Sequence, residues 1–196
     1  MMLSWSHPEA SMAKSIIEPL LRDHAKIRTL AGELKAFTER FDLPGMRQTA
    51  QSLLDLIREH TLKEESVLYL IGMKFLKANN KKIPGLFKEH DRTLSRLQNL
   101  GQLLFSARLT DIEDQARQIV FLLLEGLDHH LAEEEAVVFP ALDKLIDDEH
   151  KELILHRYGT MEGGEFDELD RLPLMGLSDM EPHTSGSVRS AGFDTL

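Results

Sequence analysis

The sequence predicts an all-α, up-down-up-down four-helix bundle, and three observations point to it. Apolar residues recur at three-and-four spacing in four long segments. Clusters of Pro, Gly, Asn and Asp separate those segments, and nothing alternates with the period of two that a strand requires.

The first segment, residues 15–41, carries Leu20, Ile27, Ala31, Leu34 and Phe41 on one stripe, with Pro19 suited to a first turn. FDLPG then makes a turn in which Asp42 is the expected N-cap and Pro44 the first helical residue. The second helix is expected from about Gly45 to Lys77, striped by Leu53, Ile57, Val67, Ile71 and Phe75. KANNKK, residues 77–82, reads as a solvated basic loop, and Pro84-Gly85 punctuates the entry to the third helix. That helix runs to about Ser106 with Phe87, Leu94, Leu97, Gly101 and Leu104 in phase. The fourth starts near Asp111 and carries Ile112, Ala116, Ile119, Leu123, Leu127 and Val137 up to Pro140, which should end or kink it. A short extra C-terminal helix comes next in ALDKLIDDEHKELILHRY.

Three regions result: an irregular segment 1–14, a bundle over 15–158, and a flexible or loosely docked tail over 159–196, where Gly, Ser, Asp and Pro replace the helical stripe. With 196 residues there is room for one sizeable core. Cysteine is absent, which excludes disulfides, thiolate metal sites and cysteine nucleophiles, and suits a reducing compartment. Without an apolar segment behind a basic start, and with IVFLLLEGL interrupted by Glu125 and Gly126, neither a signal peptide nor a membrane span is expected. A cytoplasmic protein is the resulting expectation. The net charge of −10 argues against nucleic acid and anionic membranes as partners.

The chemistry lies in polar residues that keep phase with the apolar stripes. His24 falls between Leu20 and Ile27, His60 three after Ile57, His90 three after Phe87, and His130 three after Leu127. Glu64 and Glu134 each stand one turn beyond a histidine. One core histidine is usually a satisfied structural residue. Four histidines and two glutamates are a different matter, because each buried carboxylate without a cation costs several kcal/mol. No Lys or Arg is expected in phase beside them, so a metal is the natural counter-charge. Residues i and i+4 rise about 6 Å on one helix face, so a helix can offer its imidazole to one metal and its carboxylate toward a second. The pattern also repeats: RDHAKIRTL followed by His60 and Glu64 parallels KEHDRTLSRL followed by His130 and Glu134, a pseudo-twofold arrangement. Glu65 and Glu135 are either solvated or hydrogen-bonded to an imidazole, and His129 is out of phase and flanking.

With RDH at 22–24, HTLKEESVLY at 60–69, KEH at 88–90 and HLAEEEAVVFPAL at 130–142, the chain resembles the hemerythrin-like, or HHE cation-binding, domain family from about Ser15 to Tyr158. The resemblance implies a non-haem di-iron centre: His24 and His60 on one iron, His90 and His130 on the other, Glu64 and Glu134 bridging, with an oxo or hydroxo group as a further bridge. Two Fe ions are thus the expected cofactors; manganese suits the ligands too, and zinc is a lesser fit. Oxygen-carrying hemerythrins place two histidines one turn apart on the third helix, whereas Leu94 stands one turn after His90 here. Their fourth helix also ends with a longer His-to-Asp spacing than His130 to Glu134. The set of four His and two Glu looks more like bacterial proteins associated with repair of iron centres and nitric-oxide stress.

The function expected is binding or sensing of a small diatomic ligand, O2 or NO, at the carboxylate-bridged centre. The alternatives are a di-iron redox enzyme (NO or peroxide reduction, ferroxidase) and an iron-handling protein; a metal-free structural bundle ranks last. Ferritin-like Glu-x-x-His is absent, as are His-Glu-x-x-His, Gly-x-Ser-x-Gly and a phosphate-binding loop. FDELDRLPLMGL, residues 166–177, could act as a docking peptide for a protein partner.

Overall fold

The computed structural model describes residues 15–69, 82–106 and 112–162, and no strand occurs among them. Helix α1 spans Ile17–Arg40, with Pro19 in its first turn, where a missing N–H costs no intrahelical bond. It closes at Phe41, whose φ of 50° is left-handed. The N–H groups of Phe41 and Asp42 then bond back to Thr38 O and Phe37 O at 3.1 and 2.9 Å. Asp42 turns the chain into α2, Leu43–Lys63, by accepting the Gly45 N–H at 3.2 Å through Oδ1.

Two departures from a plain α-helix shape the rest. After Lys63 the second helix continues as a π-helical segment, Glu64–Tyr69. Helix α3, Lys82–Ser106, comes next, and then α4, Glu113–Glu133. A second π-helical segment, Glu134–Val138, leads into α5, Phe139–Leu145. There the Phe139 N–H bonds to Glu134 O, five residues back. The chain stays helical past Pro140 and breaks instead at Ile146, which is extended and precedes α6, Asp148–Glu162. Pro140 sits in the first turn of α5, the place where proline removes no needed hydrogen bond.

Helices α1 to α4 pack each on the next and α4 on α1, which closes a four-membered ring, and α6 lies against α2. Helix α6 runs past the boundary expected at 158. Of the loop expected at 77–82, Lys82 instead opens α3, while residues 77–81, the segment 1–14 and the 166–177 peptide lie outside the described residues.

Two apolar clusters fill the ring. One gathers Ile27, Leu34, Leu53, Ile57, Leu97, Leu123 and Leu127. The other gathers Leu20, Leu68, Leu86, Phe139, Ile154 and Tyr158. The stripe on α4 is displaced by one residue at two places, since Val120 and Val138 are buried where Ile119 and Val137 were expected. On α3, Leu86 is buried where Phe87 was expected, and Phe87 is half-buried. In each helix the functional positions fall between residues of the two clusters, so a polar layer is sandwiched between apolar ones.

Candidate metal centre

Each ring helix brings one histidine into that layer: His24 from α1, His60 from α2, His90 from α3 and His130 from α4. Glu64 and Glu134 open the two π-helical segments, one turn beyond their histidines. All six side chains are buried, and both glutamates have an exposure of 0%.

The contacts resolve into two sets that share the glutamates crosswise. In the first, His24 Nε2 and His60 Nε2 face each other at 3.1 Å. Glu64 Oε1 lies 3.2 Å from His60 Nε2, and Glu134 Oε2 lies 3.4 Å from His24 Nε2. In the second, His90 Nε2 and His130 Nε2 stand 2.9 Å apart. Glu64 Oε2 is 3.3 Å from His90 Nε2, and Glu134 Oε1 is 3.3 Å from His130 Nε2. Each carboxylate therefore turns one oxygen to each set, and each set offers two nitrogens and two oxygens within 4.8 Å of one another.

A family model described as the hemerythrin HHE cation binding domain matches residues 1–70. Over that stretch the chain is similar to the hemerythrin HHE cation binding domain. Comparison with curated proteins and with solved structures returned no match. The matched stretch holds His24, His60 and Glu64; geometry joins to them His90, His130 and Glu134, which lie beyond it. A cation-binding function is what the family implies, and the donor chemistry fits one. Two nitrogens held at right angles about 2.1 Å from a common cation stand ~3.0 Å apart, close to the two observed separations. Neither Glu64 oxygen has a hydrogen-bond partner although both are fully buried. Groups so placed call for a positive charge between them.

Behind the nitrogens of the site stands a set of outer carboxylates. His24 Nδ1 donates to Glu135 Oε1 at 2.8 Å, and His90 Nδ1 to Glu65 Oε1 at 2.8 Å. His130 Nδ1 donates to Glu89 Oε2 at 3.0 Å. Each bond fixes the tautomer that leaves Nε2 free to face the centre. Glu65 and Glu135, for which the sequence allowed two readings, are thus imidazole partners. They exchange across the bundle, since each serves the opposite half. Arg28 secures Glu135 at 2.7 Å and holds that carboxyl below its usual range. Sequence reasoning did not assign Glu89; its signal was the acid directly before the histidine in KEH.

His60 differs. Its Nδ1 has no hydrogen-bond partner, and the nearest carboxylate, Asp23 Oδ2, is 3.9 Å away. Asp23 instead binds Lys63 Nζ at 2.9 Å, and Lys63 also meets Glu59 at 2.9 Å. This corrects the expectation that no cation sits beside the glutamates, because Lys63 is fully buried next to Glu64. Its ammonium points to α1, where Asp23 takes its charge. The Lys63 and His60 contacts outweigh burial and hold the Asp23 carboxyl far below its usual range.

Burial alone would lower the imidazole pKa values. The glutamates reverse this, raising His24 to about 9 and His90 to about 11. His60 is raised as well, chiefly by Glu64 against burial. Glu64 and Glu134 are held below their usual range by the surrounding imidazoles in spite of burial. Without metal, protons serve as the counter-charge. His129 and His156 are exposed, His150 pairs with Asp147, and His7 and His183 lie outside the described residues.

Proposed function

We propose that this chain holds two iron ions in its bundle core through His24, His60, Glu64, His90, His130 and Glu134, and that it binds or senses O2 or NO there. The crosswise sharing of Glu64 and Glu134 carries this reading, because a carboxylate with one oxygen toward each set is suited to holding a pair of cations. Two nitrogens and two oxygens per set would hold a metal ion and leave room for non-protein ligands. Imidazole with carboxylate suits iron and manganese, and zinc is the weaker fit.

When bound, such ions would supply reversible one-electron chemistry and a Lewis-acidic face for a diatomic ligand. The protein's own part is positional. Glu135, Glu65 and Glu89 hold three imidazoles by Nδ1, and the apolar clusters on either side exclude bulk water. Glu64 and Glu134 supply the negative charge that a pair of cations needs in so apolar a surrounding.

Metal analysis of protein purified without added metal, paired with its absorption spectrum, tests the reading. About two irons per chain, one for each donor set, with near-ultraviolet charge-transfer bands is the expected result. A protein that takes up no transition metal under anaerobic loading overturns it. Stopped-flow spectra of the reduced protein with O2 then separate the uses. A reversible band marks binding or sensing. Irreversible oxidation with turnover of peroxide or NO marks an enzyme, and iron release in place of both marks iron handling.

A further inference from the structure

Helix α6 lies outside the ring yet delivers one side chain to its interior. Tyr158 is 2% exposed and packs in the apolar cluster with Leu20, Leu68, Phe139 and Ile154. Its ring is what that cluster needs, and phenylalanine would supply it equally. The hydroxyl is surplus to packing, and it is buried without a hydrogen-bond partner. Buried hydroxyls are ordinarily paired, so an unpaired one marks a donor whose partner is not a protein group.

Its position identifies that partner. Phe139 of the cluster around Tyr158 has its ring centre 5.2 Å from that of His24, and α6 packs on α2, the helix that carries His60 and leads into Glu64. The charges that act on the phenol are those of Glu64 and Asp23, and with burial they hold its proton in place far above the usual range. Glu64 is shared by both sets, but Asp23 stands on α1 beside Lys63 and 3.9 Å from His60, on the side of the centre built on α1 and α2. Glu64 itself has no hydrogen bond to either oxygen, so the phenol does not bind it directly. No counterpart of α6 covers α3 and α4 among the described residues.

We propose that Tyr158 is a positioning residue that donates a hydrogen bond to a small anionic or diatomic ligand held at the His24–His60 set, making that set the one where exogenous ligand binds. The inference deepens the metal-centre reading and rests on it. A neutral phenol that keeps its proton is suited to the role, since it stabilises negative charge on the ligand without adding charge of its own.

Azide is the probe, with wild-type protein, Tyr158→Phe and Ile154→Val compared after metal loading. The last variant disturbs the packing of the same helix without touching a hydroxyl. Metal analysis of the wild type decides the metal-centre reading by itself; a wild type without metal removes both proposals. For loaded protein, Tyr158→Phe should keep wild-type metal content and a metal-free melting temperature equal to or above wild type. Its azide dissociation constant should rise roughly tenfold, the scale of one hydrogen bond to a charged acceptor, and the azide charge-transfer band should shift. Ile154→Val should leave both azide readouts near wild type. An unchanged azide constant and band in Tyr158→Phe, or equal changes in both variants, overturns the assignment.

Discussion

At the scale of residues, the six inner side chains were legible because helix phase is set by many apolar neighbours at once. Leu20 and Ile27 fix His24, and Leu127 fixes His130, whatever the local details. The outer residues were harder to read, because a carboxylate's partner depends on which helix it crosses to. Lys63 is the sharpest case. Lysine beside a glutamate on a helix ordinarily points to water, yet here it is fully buried against Asp23. The repeat held a hint: Lys63 precedes Glu64 where Glu133 precedes Glu134, so the halves differ at a position adjoining the centre. Replacing Lys63 by Met should strand Asp23 as an uncompensated buried charge and cost about 3–5 kcal/mol. The lower end is expected, because Lys26 also reaches Asp23 at 3.3 Å from the surface. Adding Asp23→Leu to the same chain should recover much of the loss. Urea unfolding of the metal-free variants measures both, and a single variant as stable as wild type would show that the pair contributes nothing.

At the scale of elements, the four ring helices were visible as apolar periodicity, and the π-helical segments were not. A π turn inserts one residue without any change in composition, so no pattern of residue types announces it. Both segments nevertheless begin at the inner glutamates, Glu64 and Glu134. An α-helix turns about 100° per residue, which would aim Glu65 and Glu135 well away from their inner neighbours. Here each inner glutamate and its neighbour both reach imidazoles, Glu64 and Glu65 at His90, Glu134 and Glu135 at His24. The widened turn also sets the phase of the helix beyond it. Inserting one further alanine after the exposed Ala136, where the widened turn has already absorbed one residue, should rotate Phe139 and Leu142, both at 0% exposure, off the core. Losing the burial of two large apolar side chains should cost roughly 3–6 kcal/mol. Unfolding that starts at the same urea concentration as wild type would mean that the extra residue is absorbed without consequence.

For the whole molecule, the centre couples folding, pH and metal. Its metal-free form carries protons where cations would sit, and the direction of each shift fixes the pH window. His24 rises from 6.5 to about 9 and His90 from 6.5 to about 11. Groups raised on folding contribute stability that is complete below pH 6.5 and is lost as pH climbs through the folded values. Glu64 and Glu134 are lowered from 4.5, so their contribution is present above that value and is lost as pH falls through the folded values. The metal-free protein should therefore melt highest between about pH 4.5 and 6.5, and progressively lower from 6.5 to 9. Metal reverses the upper limb. Cations displace the imidazole protons, so affinity tightens as pH rises, and a ligand that binds only the folded state raises its stability with the logarithm of its concentration over its dissociation constant. Calorimetry at pH 5.5, 7 and 8.5, with chelator and with iron, should show a melting-temperature gap that widens steadily with pH. A gap of constant size would mean that protons and metal do not compete for the same nitrogens, which the 3.1 and 2.9 Å facing pairs otherwise require.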